Sequence, residues 1–121
     1  MPPAADHRLV VYGTLAPGRA NHDQLAGLDG RWREATVRGE LFASGWGAAL
    51  GYPGLVLDPD GATVEAQLFE SKDLPAHWPR LDAFEGPGYR RVLTQAATDE
   101  GPVDAWIYEL VPSARQPSER R

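Results

Sequence analysis

Glu85 is the residue whose position most clearly points to proton-transfer chemistry. A helical pattern runs over residues 74–86, and it places Leu81, Phe84 and Glu85 at i, i+3 and i+4, on one face. Because the other side chains on this face are apolar, the pattern predicts that the Glu85 carboxylate points inward. Loss of water raises a glutamate pKa from about 4.3 towards neutrality, which suits the group to moving protons at cellular pH. The alternative is a helix-terminal glutamate that turns to solvent past Gly86.

A second candidate site is the loop Tyr12-Gly13-Thr14-Leu15, which directly follows a short apolar run. A strand that ends in a glycine turn can present several backbone N–H groups to one anionic atom, and such an arrangement binds carboxylates or oxyanions. The same pattern is also typical of a plain connection between two elements. Neither Gly-x-Gly-x-x-Gly nor a Gly-Lys-Ser/Thr phosphate loop occurs in the chain, so no nucleotide site is predicted.

Several other chemistries are disfavoured by the residue types. The chain has no cysteine, which removes thiol nucleophiles, disulfides and cysteine-based zinc sites. His7, His22 and His77 are isolated from one another, so no metal site is predicted. Ser44 does not lie in a Gly-x-Ser-x-Gly elbow, which argues against a serine hydrolase.

Charge and hydropathy narrow the range of partners. Lys and Arg number 12 against 17 Asp and Glu, and the pI is near 5.1, so the surface lacks the positive field that nucleic acid requires. No basic segment followed by an apolar stretch opens the chain, and no apolar run approaches the roughly 18 residues of a membrane helix. We expect a soluble cytoplasmic protein that binds neither nucleic acid nor membranes.

The elements that must position these residues are mostly strands. A chain of 121 residues is typical of one domain, which we place at residues 1–111, followed by a polar tail at 112–121. Alternation and turn residues predict strands at 8–12, 32–43, 55–57, 63–69, 89–97 and 103–110. The turns at 58–61 and 99–102 predict two hairpins. The glycine-rich segment 44–54 is predicted to be a wide loop.

Short helices complete the predicted domain. One is expected at 22–28, capped by Asn21, and another at 74–86, where Pro79 must either kink the helix or start a second one. The pattern therefore indicates an α+β fold with a largely antiparallel or mixed sheet and short flanking helices. Closure of this sheet into a barrel is compatible with the pattern but does not follow from it.

Several short motifs together resemble the AIG2-like γ-glutamyl cyclotransferase family. They occur in the family's order between residues 9 and 110. The most specific combination is a Tyr-Gly-Ser/Thr-Leu loop with a distant Leu-Asp-x-x-Glu-Gly segment. The matching stretches are Val11-Tyr12-Gly13-Thr14-Leu15, Pro17-Gly18, Asn21-His22, Tyr52-Pro53-Gly54 and residues 81–91.

The resemblance implies a small mixed barrel with short flanking helices and an open cavity. It further implies cyclisation of a γ-glutamyl compound to 5-oxoproline with release of an amine, without any cofactor. In the family, the loop that matches Tyr12 to Leu15 holds the substrate through backbone N–H groups. The glutamate that matches Glu85 moves the proton, and Tyr89 matches a tyrosine that lines the cavity.

Two departures leave the leaving amine open. Where many relatives carry Gly-Glu, this chain has Ala66-Gln67, so no acidic role transfers to Gln67. The 44–54 loop matches no shared motif. Two other functions also stay open, a binding module in which Glu85 is the counter-ion of a ligand amine and an interaction domain that uses Trp46 and the tail. The choice between monomer and homodimer is open as well.

Overall fold

The computed structural model describes residues 4–12, 25, 27–42, 54–86 and 88–111. A 3-10 helix, Ala4–His7, precedes β1, and one α-helix, α1, follows β4. The bounds are β1 Arg8–Val11, β2 Arg31–Phe42, β3 Gly54–Leu57, β4 Ala62–Glu70, α1 Leu74–Glu85, β5 Tyr89–Thr98 and β6 Gly101–Leu110. The strands predicted from the sequence are all present, with ends that differ by one or two residues.

Five of the strands form a closed barrel. The hydrogen-bonded order is β3-β2-β4-β1-β6-β5, and pairing of Thr36 with Ala97 joins β2 to β5. The β1–β6 pair is parallel and the others are antiparallel, so the sheet is mixed. Small buried residues suit the narrow interior of a five-stranded barrel, among them Ala35, Ala96 and Ala105. The predicted α+β fold with a small mixed barrel is confirmed.

The helix α1 packs against the outer face of the barrel. Its buried residues Leu74, Trp78 and Leu81 repeat at i, i+4 and i+7, which is the stripe expected of a half-buried helix. They join a cluster with strand residues such as Leu9, Phe69 and Tyr108. The chain continues through Pro79 as one helix, so the alternative of a second helix that starts there is wrong.

The predicted hairpin between β3 and β4 is wrong, although its turn is correct. The Gly61 N–H donates to the Asp58 carbonyl at 2.9 Å, as in a tight turn. However, β3 and β4 pair with opposite edges of β2, where Gly39 faces both Leu57 and Ala62. A Cβ on Gly39 would lie 2.3 Å from the Val56 carbonyl oxygen, so the close approach at this point requires glycine. The hairpin of β5 and β6 is confirmed.

Three predicted segments lie largely or wholly outside the described residues. Of the predicted helix at 22–28, Leu25 is helical and fully buried. Most of the 44–54 loop and all of the 112–121 tail are not described. Within the described ranges, no helix has both the length and the apolar character to cross a membrane.

Candidate active site

Glu85 is the last residue of α1 and points towards the barrel. It lies four residues after Leu81 and seven after Trp78, so it continues the buried stripe. Gly86 follows with a φ of 78°, and its N–H donates to the Asp82 carbonyl at 3.1 Å, which ends the helix. The sequence prediction that Glu85 points inward is therefore correct.

The other half of that prediction fails at Phe84. This side chain is 41% exposed, although the i+3 spacing from Leu81 placed it on the buried face. Only the i+4 position, Glu85, follows Leu81 inward. The buried face of α1 is therefore narrower at its end than the i+3 and i+4 spacing from Leu81 indicates. The residue that continues this face is Glu85, a carboxylate.

Burial raises the pKa of Glu85 from 4.5 to about 7. The side chain keeps partial access to solvent, as a proton-transfer group must. Among the residues that the structure describes, the Glu85 carboxylate forms no hydrogen bond or ion pair, so loss of water is the cause of the shift. A glutamate in this state is close to half-ionised at neutral pH and can act as either base or acid.

Two tyrosines, Tyr12 and Tyr108, are close enough to Glu85 to be affected by its charge, and a third, Tyr89, affects Tyr12. Burial raises the pKa of Tyr12 well above its usual range, and the nearby charge of Glu85 raises it further. The same two causes act on Tyr108, together with its hydrogen bond to Asp82. Tyr89, at the start of β5, also acts on Tyr12. The structure therefore brings together Glu85, Tyr12 and Tyr89, which were predicted from distant parts of the sequence.

The hydroxyl of Tyr12 ties two strands together. It donates to the Tyr108 carbonyl of β6 at 2.5 Å and accepts the Leu55 N–H of β3 at 3.1 Å. A tyrosine hydroxyl has one proton to donate, so this group is not free to donate to a ligand. Tyr12 thus anchors the start of the predicted substrate loop. The other loop residues, Gly13, Thr14 and Leu15, lie outside the described residues, and their role in substrate binding stays a prediction.

Replacing Tyr12 with phenylalanine is expected to destabilise the fold. The change leaves the Tyr108 carbonyl and the Leu55 N–H without this partner, and an unpaired buried polar group costs about 1–3 kcal/mol. Denaturant unfolding of Tyr12→Phe beside the wild type checks this, with Leu93→Ala as the control because Leu93 is 56% exposed. Equal unfolding free energies for Tyr12→Phe and the wild type would mean that the bridge does not hold β3 and β6 together.

A cavity of about 780 Å³ adjoins Tyr12. Gln67 pairs with both Val11 and Glu34, so these three neighbouring residues lie in one row of its wall. Glu85 is not among the described lining residues. The other described residues of the wall are Arg33, Ala35, Thr36, Glu65, Ala66, Ala97, Thr98 and Asp99. Gln67 therefore lines a cavity whose wall also includes Tyr12.

Two polar residues near Glu85 were missed by sequence reasoning. The Tyr108 hydroxyl donates to Asp82 Oδ1 at 2.7 Å, one turn of α1 before Glu85. Tyr108 lies in a run of four buried residues at the end of β6, where its pattern is that of a core residue. Asp82 belongs to the segment 81–91 that resembles the γ-glutamyl cyclotransferase family, but its position in the sequence does not by itself indicate a role.

The described part of the chain contains no group of three or more His, Asp or Glu residues that could hold a metal ion. The residues of the predicted interaction surface, Trp46 and the 112–121 tail, lie outside the described residues.

The described strands and helix form a small mixed barrel of the γ-glutamyl cyclotransferase type. The family model described as gamma-glutamyl cyclotransferase, AIG2-like, matches residues 9–121, and the chain belongs to this family. The match confirms the resemblance drawn from the motifs. Among curated proteins, no sequence matches the chain significantly.

Solved structures share the fold. YkqA from Bacillus subtilis is 30% identical with a TM-score of 0.68, over 86% of this chain and 35% of that one, so this chain spans about a third of its length. An AIG2-like protein from Mus musculus is 22% identical with a TM-score of 0.70, over 93% of this chain and 80% of that one. An uncharacterised protein from Pyrococcus horikoshii is 23% identical with a TM-score of 0.59, over 91% of this chain and 80% of that one. The last two similarities concern the fold alone.

Proposed function

We propose that this chain cyclises a γ-glutamyl amine, or a γ-glutamyl-tagged metabolite, to 5-oxoproline and releases the free amine. The observation that carries the proposal is a carboxylate at Glu85 whose pKa is raised to about 7 by burial, beside Tyr12 at the start of the candidate substrate loop. Membership of the γ-glutamyl cyclotransferase, AIG2-like family supports the same reaction class.

The proposed reaction needs little beyond positioning and proton transfer. The α-amine and the γ-carbonyl belong to one substrate molecule, so ring closure is intramolecular once the reactive conformer is held. Glu85, as the carboxylate, takes a proton from the α-ammonium group. The freed nitrogen attacks the γ-carbonyl carbon, which forms the ring C–N bond and a tetrahedral oxyanion.

Collapse of this intermediate completes the cycle. The oxyanion re-forms the carbonyl as the bond between the γ-carbon and the leaving nitrogen breaks, and the proton held by Glu85 passes to that nitrogen. Glu85 then takes up the second proton of the ring nitrogen and passes it to the released amine, which leaves as its ammonium ion. The products are 5-oxoproline and the amine, and Glu85 returns to the carboxylate. Backbone N–H groups of the loop at Gly13 and Thr14 are the proposed oxyanion donors, and loss of one such donor typically costs about 3–4 kcal/mol. No cofactor takes part in these steps.

The cavity beside Tyr12 is the proposed place for the leaving amine. Its wall contains Gln67, Glu34 and Glu65 as well as the apolar Val11. A pocket of this mixed character can accept an amine that has both an aliphatic stem and a polar end.

A panel of γ-glutamyl compounds tests the proposal directly. The panel should include γ-glutamyl alkylamines, γ-glutamyl-ε-lysine and γ-glutamyl dipeptides, with release of 5-oxoproline followed chromatographically. We expect turnover on at least one of the amines. Binding of panel members without product formation would instead identify a binding module in which Glu85 pairs with the ligand ammonium. An absence of both binding and turnover would refute the proposal.

A further inference from the structure

Helix α1 has few stabilising features of its own. Pro79 lacks the N–H of an interior helical residue, and Asp73 at the N-cap makes no side-chain capping bond. The last turn contains no basic residue to oppose the helix dipole. Phe84 in this turn is 41% exposed and adds little packing. Contacts from outside the helix must therefore hold the turn that contains Glu85.

Arg91 on β5 supplies one such contact. Its Nε donates to Asp82 Oδ1 at 2.8 Å and its Nη2 to Asp82 Oδ2 at 3.2 Å, which is the paired geometry that gives arginine–carboxylate bonds their directional strength. The guanidinium also lies 4.4 Å from the ring centroid of Trp78 and 4.6 Å from that of Trp106. Contact with two indole rings restricts the guanidinium further. Arg91 therefore holds α1 at both Trp78 and Asp82, one turn apart.

Tyr108 on β6 supplies a second contact to the same carboxylate. Its hydroxyl donates to Asp82 Oδ1 at 2.7 Å, and Tyr108 is itself buried. The hydrogen bond from Arg91 is the main reason that the pKa of Asp82 lies below its usual range, with a smaller contribution from Tyr108. Asp82 is thus an ionised group that is fixed from two strands.

Asp82 lies three residues before Glu85, a spacing that places the two side chains on neighbouring parts of the helix surface. The Asp82 carbonyl also accepts the Gly86 N–H that closes the helix. A shift of Asp82 away from β5 and β6 would therefore move the backbone on both sides of Glu85. This connection carries the inference that follows.

We infer that Asp82, Arg91 and Tyr108 are positioning residues, which dock the last turn of α1 on β5 and β6 so that the Glu85 carboxyl stays in its dry site beside Tyr12. This inference rests on the proposed function, because it gives Glu85 its catalytic task. None of the three residues touches the reacting atoms. They act through the place and the hydration of Glu85.

The inference can be tested without a change in the net charge of the protein. Asp82 and Arg91 form an ion pair, and the tyrosines are neutral at physiological pH. Exchange of both members of the ion pair for amides therefore loosens the helix end at constant net charge. Glu85 affects Tyr12 and Tyr108, and the other described titratable groups that interact with these two tyrosines are Asp82, Tyr89, Arg91 and Glu109.

The experiment is a carboxyl titration of Glu85, followed by ¹³C NMR, in the wild type and in variants that release the helix end. In Asp82→Asn/Arg91→Gln, water should reach Glu85, and its midpoint should fall from about 7 towards the ordinary glutamate value of about 4.3. Arg91→Lys keeps the charge but loses the paired geometry and should give an intermediate midpoint. In both variants kcat should fall more than KM rises, by as much as about 10²-fold for the double variant.

Arg8→Gln is the matched control. The Arg8 side chain is 23% exposed, close to the 21% of Arg91. Arg8 forms an ion pair with Glu70 at the start of β1, whereas Tyr12 follows the end of that strand. This variant should keep the Glu85 midpoint and kcat of the wild type even if its stability falls. An unchanged midpoint in the Asp82→Asn/Arg91→Gln protein would overturn the inference. If the double variant does not fold, the Arg91→Lys titration takes its place, and an unchanged Glu85 midpoint in that variant would overturn the inference.

The two proposals fail separately. If the wild type forms no 5-oxoproline, the proposed function is wrong, and the titrations still decide whether the three residues position Glu85. If the wild type is active and the midpoint is the same in the variants, only the positioning role is wrong.

Discussion

Replacing Glu85 with glutamine is expected to lower kcat on the best γ-glutamyl substrate by about 10²–10⁴-fold, the usual contribution of a positioned general acid or base. Glutamine has nearly the same size as glutamate but cannot accept the proton of the α-ammonium group or return it to the leaving nitrogen. KM should change much less, because the proposed substrate contacts come from the loop at Tyr12 to Leu15. Initial rates of 5-oxoproline release at saturating substrate measure the effect.

Glu40→Gln provides the control for this substitution. Glu40 is exposed on β2, where its strand partner is Val56 of β3, and it is not among the described residues that line the cavity beside Tyr12. The same chemical change at this position should leave kcat within about twofold of the wild type, since surface substitutions seldom alter folded structure. Full activity in Glu85→Gln would remove Glu85 from the mechanism, whatever the family membership of the chain.

The same Glu85→Gln change is expected to stabilise the protein at neutral and alkaline pH. The pKa of Glu85 is about 7 in the folded chain and 4.5 ordinarily. Between these pH values the unfolded chain has lost the proton while the folded chain keeps it, so the free energy of unfolding of the wild type falls as pH rises. By linkage, the full loss is about 3 kcal/mol and is complete above pH 7.

Glutamine does not titrate, so this slope should be absent in the variant. Denaturant unfolding at a series of pH values should give similar stabilities for the two proteins near pH 4. The variant should gain steadily from there and exceed the wild type by about 3 kcal/mol near pH 8. Other carboxylates, such as Asp82 with its lowered pKa, affect both proteins alike and cancel in the difference. A stability difference that does not vary with pH would mean that Glu85 is hydrated in the folded state.

A lower kcat and a higher stability in the same Glu85→Gln variant would show that the carboxylate is needed for catalysis and destabilises the fold. A carboxylate held out of water weakens the fold, and only its chemical task explains its presence at the end of a buried stripe. The two measurements are independent of each other, because the unfolding experiment needs no substrate.

The direction of Glu85 could be predicted because it depends on local geometry. Leu81 and Glu85 are one turn apart, so a buried Leu81 implies an inward Glu85. Phe84 was placed wrongly because i+3 and i+4 positions diverge at the edge of a helical stripe. The pattern of apolar residues defines the centre of a buried face better than its limits.

The β3–β4 connection could not be predicted because its turn residues fit both outcomes. Asp58-Pro59-Asp60-Gly61 forms the expected tight turn, but the chain passes from one edge of β2 to the other. What permits this crossing is the missing side chain at Gly39, about twenty residues earlier in the sequence. Turn chemistry is local, whereas the choice of strand partner depends on the rest of the sheet.

The hydrogen bonds that hold the candidate site in place could not be predicted from the sequence either. Tyr12 and Tyr108 are separated by 96 positions, yet the hydroxyl of one bonds the carbonyl of the other. Similarly, Arg91 and Asp82 meet only because β5 packs beside α1. Such bonds between separate elements follow from the barrel topology, which hydrophobic alternation indicates only in outline.

The pH dependence of kcat/KM for the wild type tests the central claim most directly, because it reports the ionisation of the free enzyme and the free substrate. If Glu85 must be a carboxylate that takes a proton from the α-ammonium group, the acid limb should have its midpoint at about 7. The alkaline limb should follow loss of the proton of the substrate α-ammonium group, because the reaction then lacks the proton that Glu85 passes to the leaving nitrogen. An acid limb near about 4.3, or none at all, would contradict the account, since an ordinary hydrated glutamate would then occupy position 85.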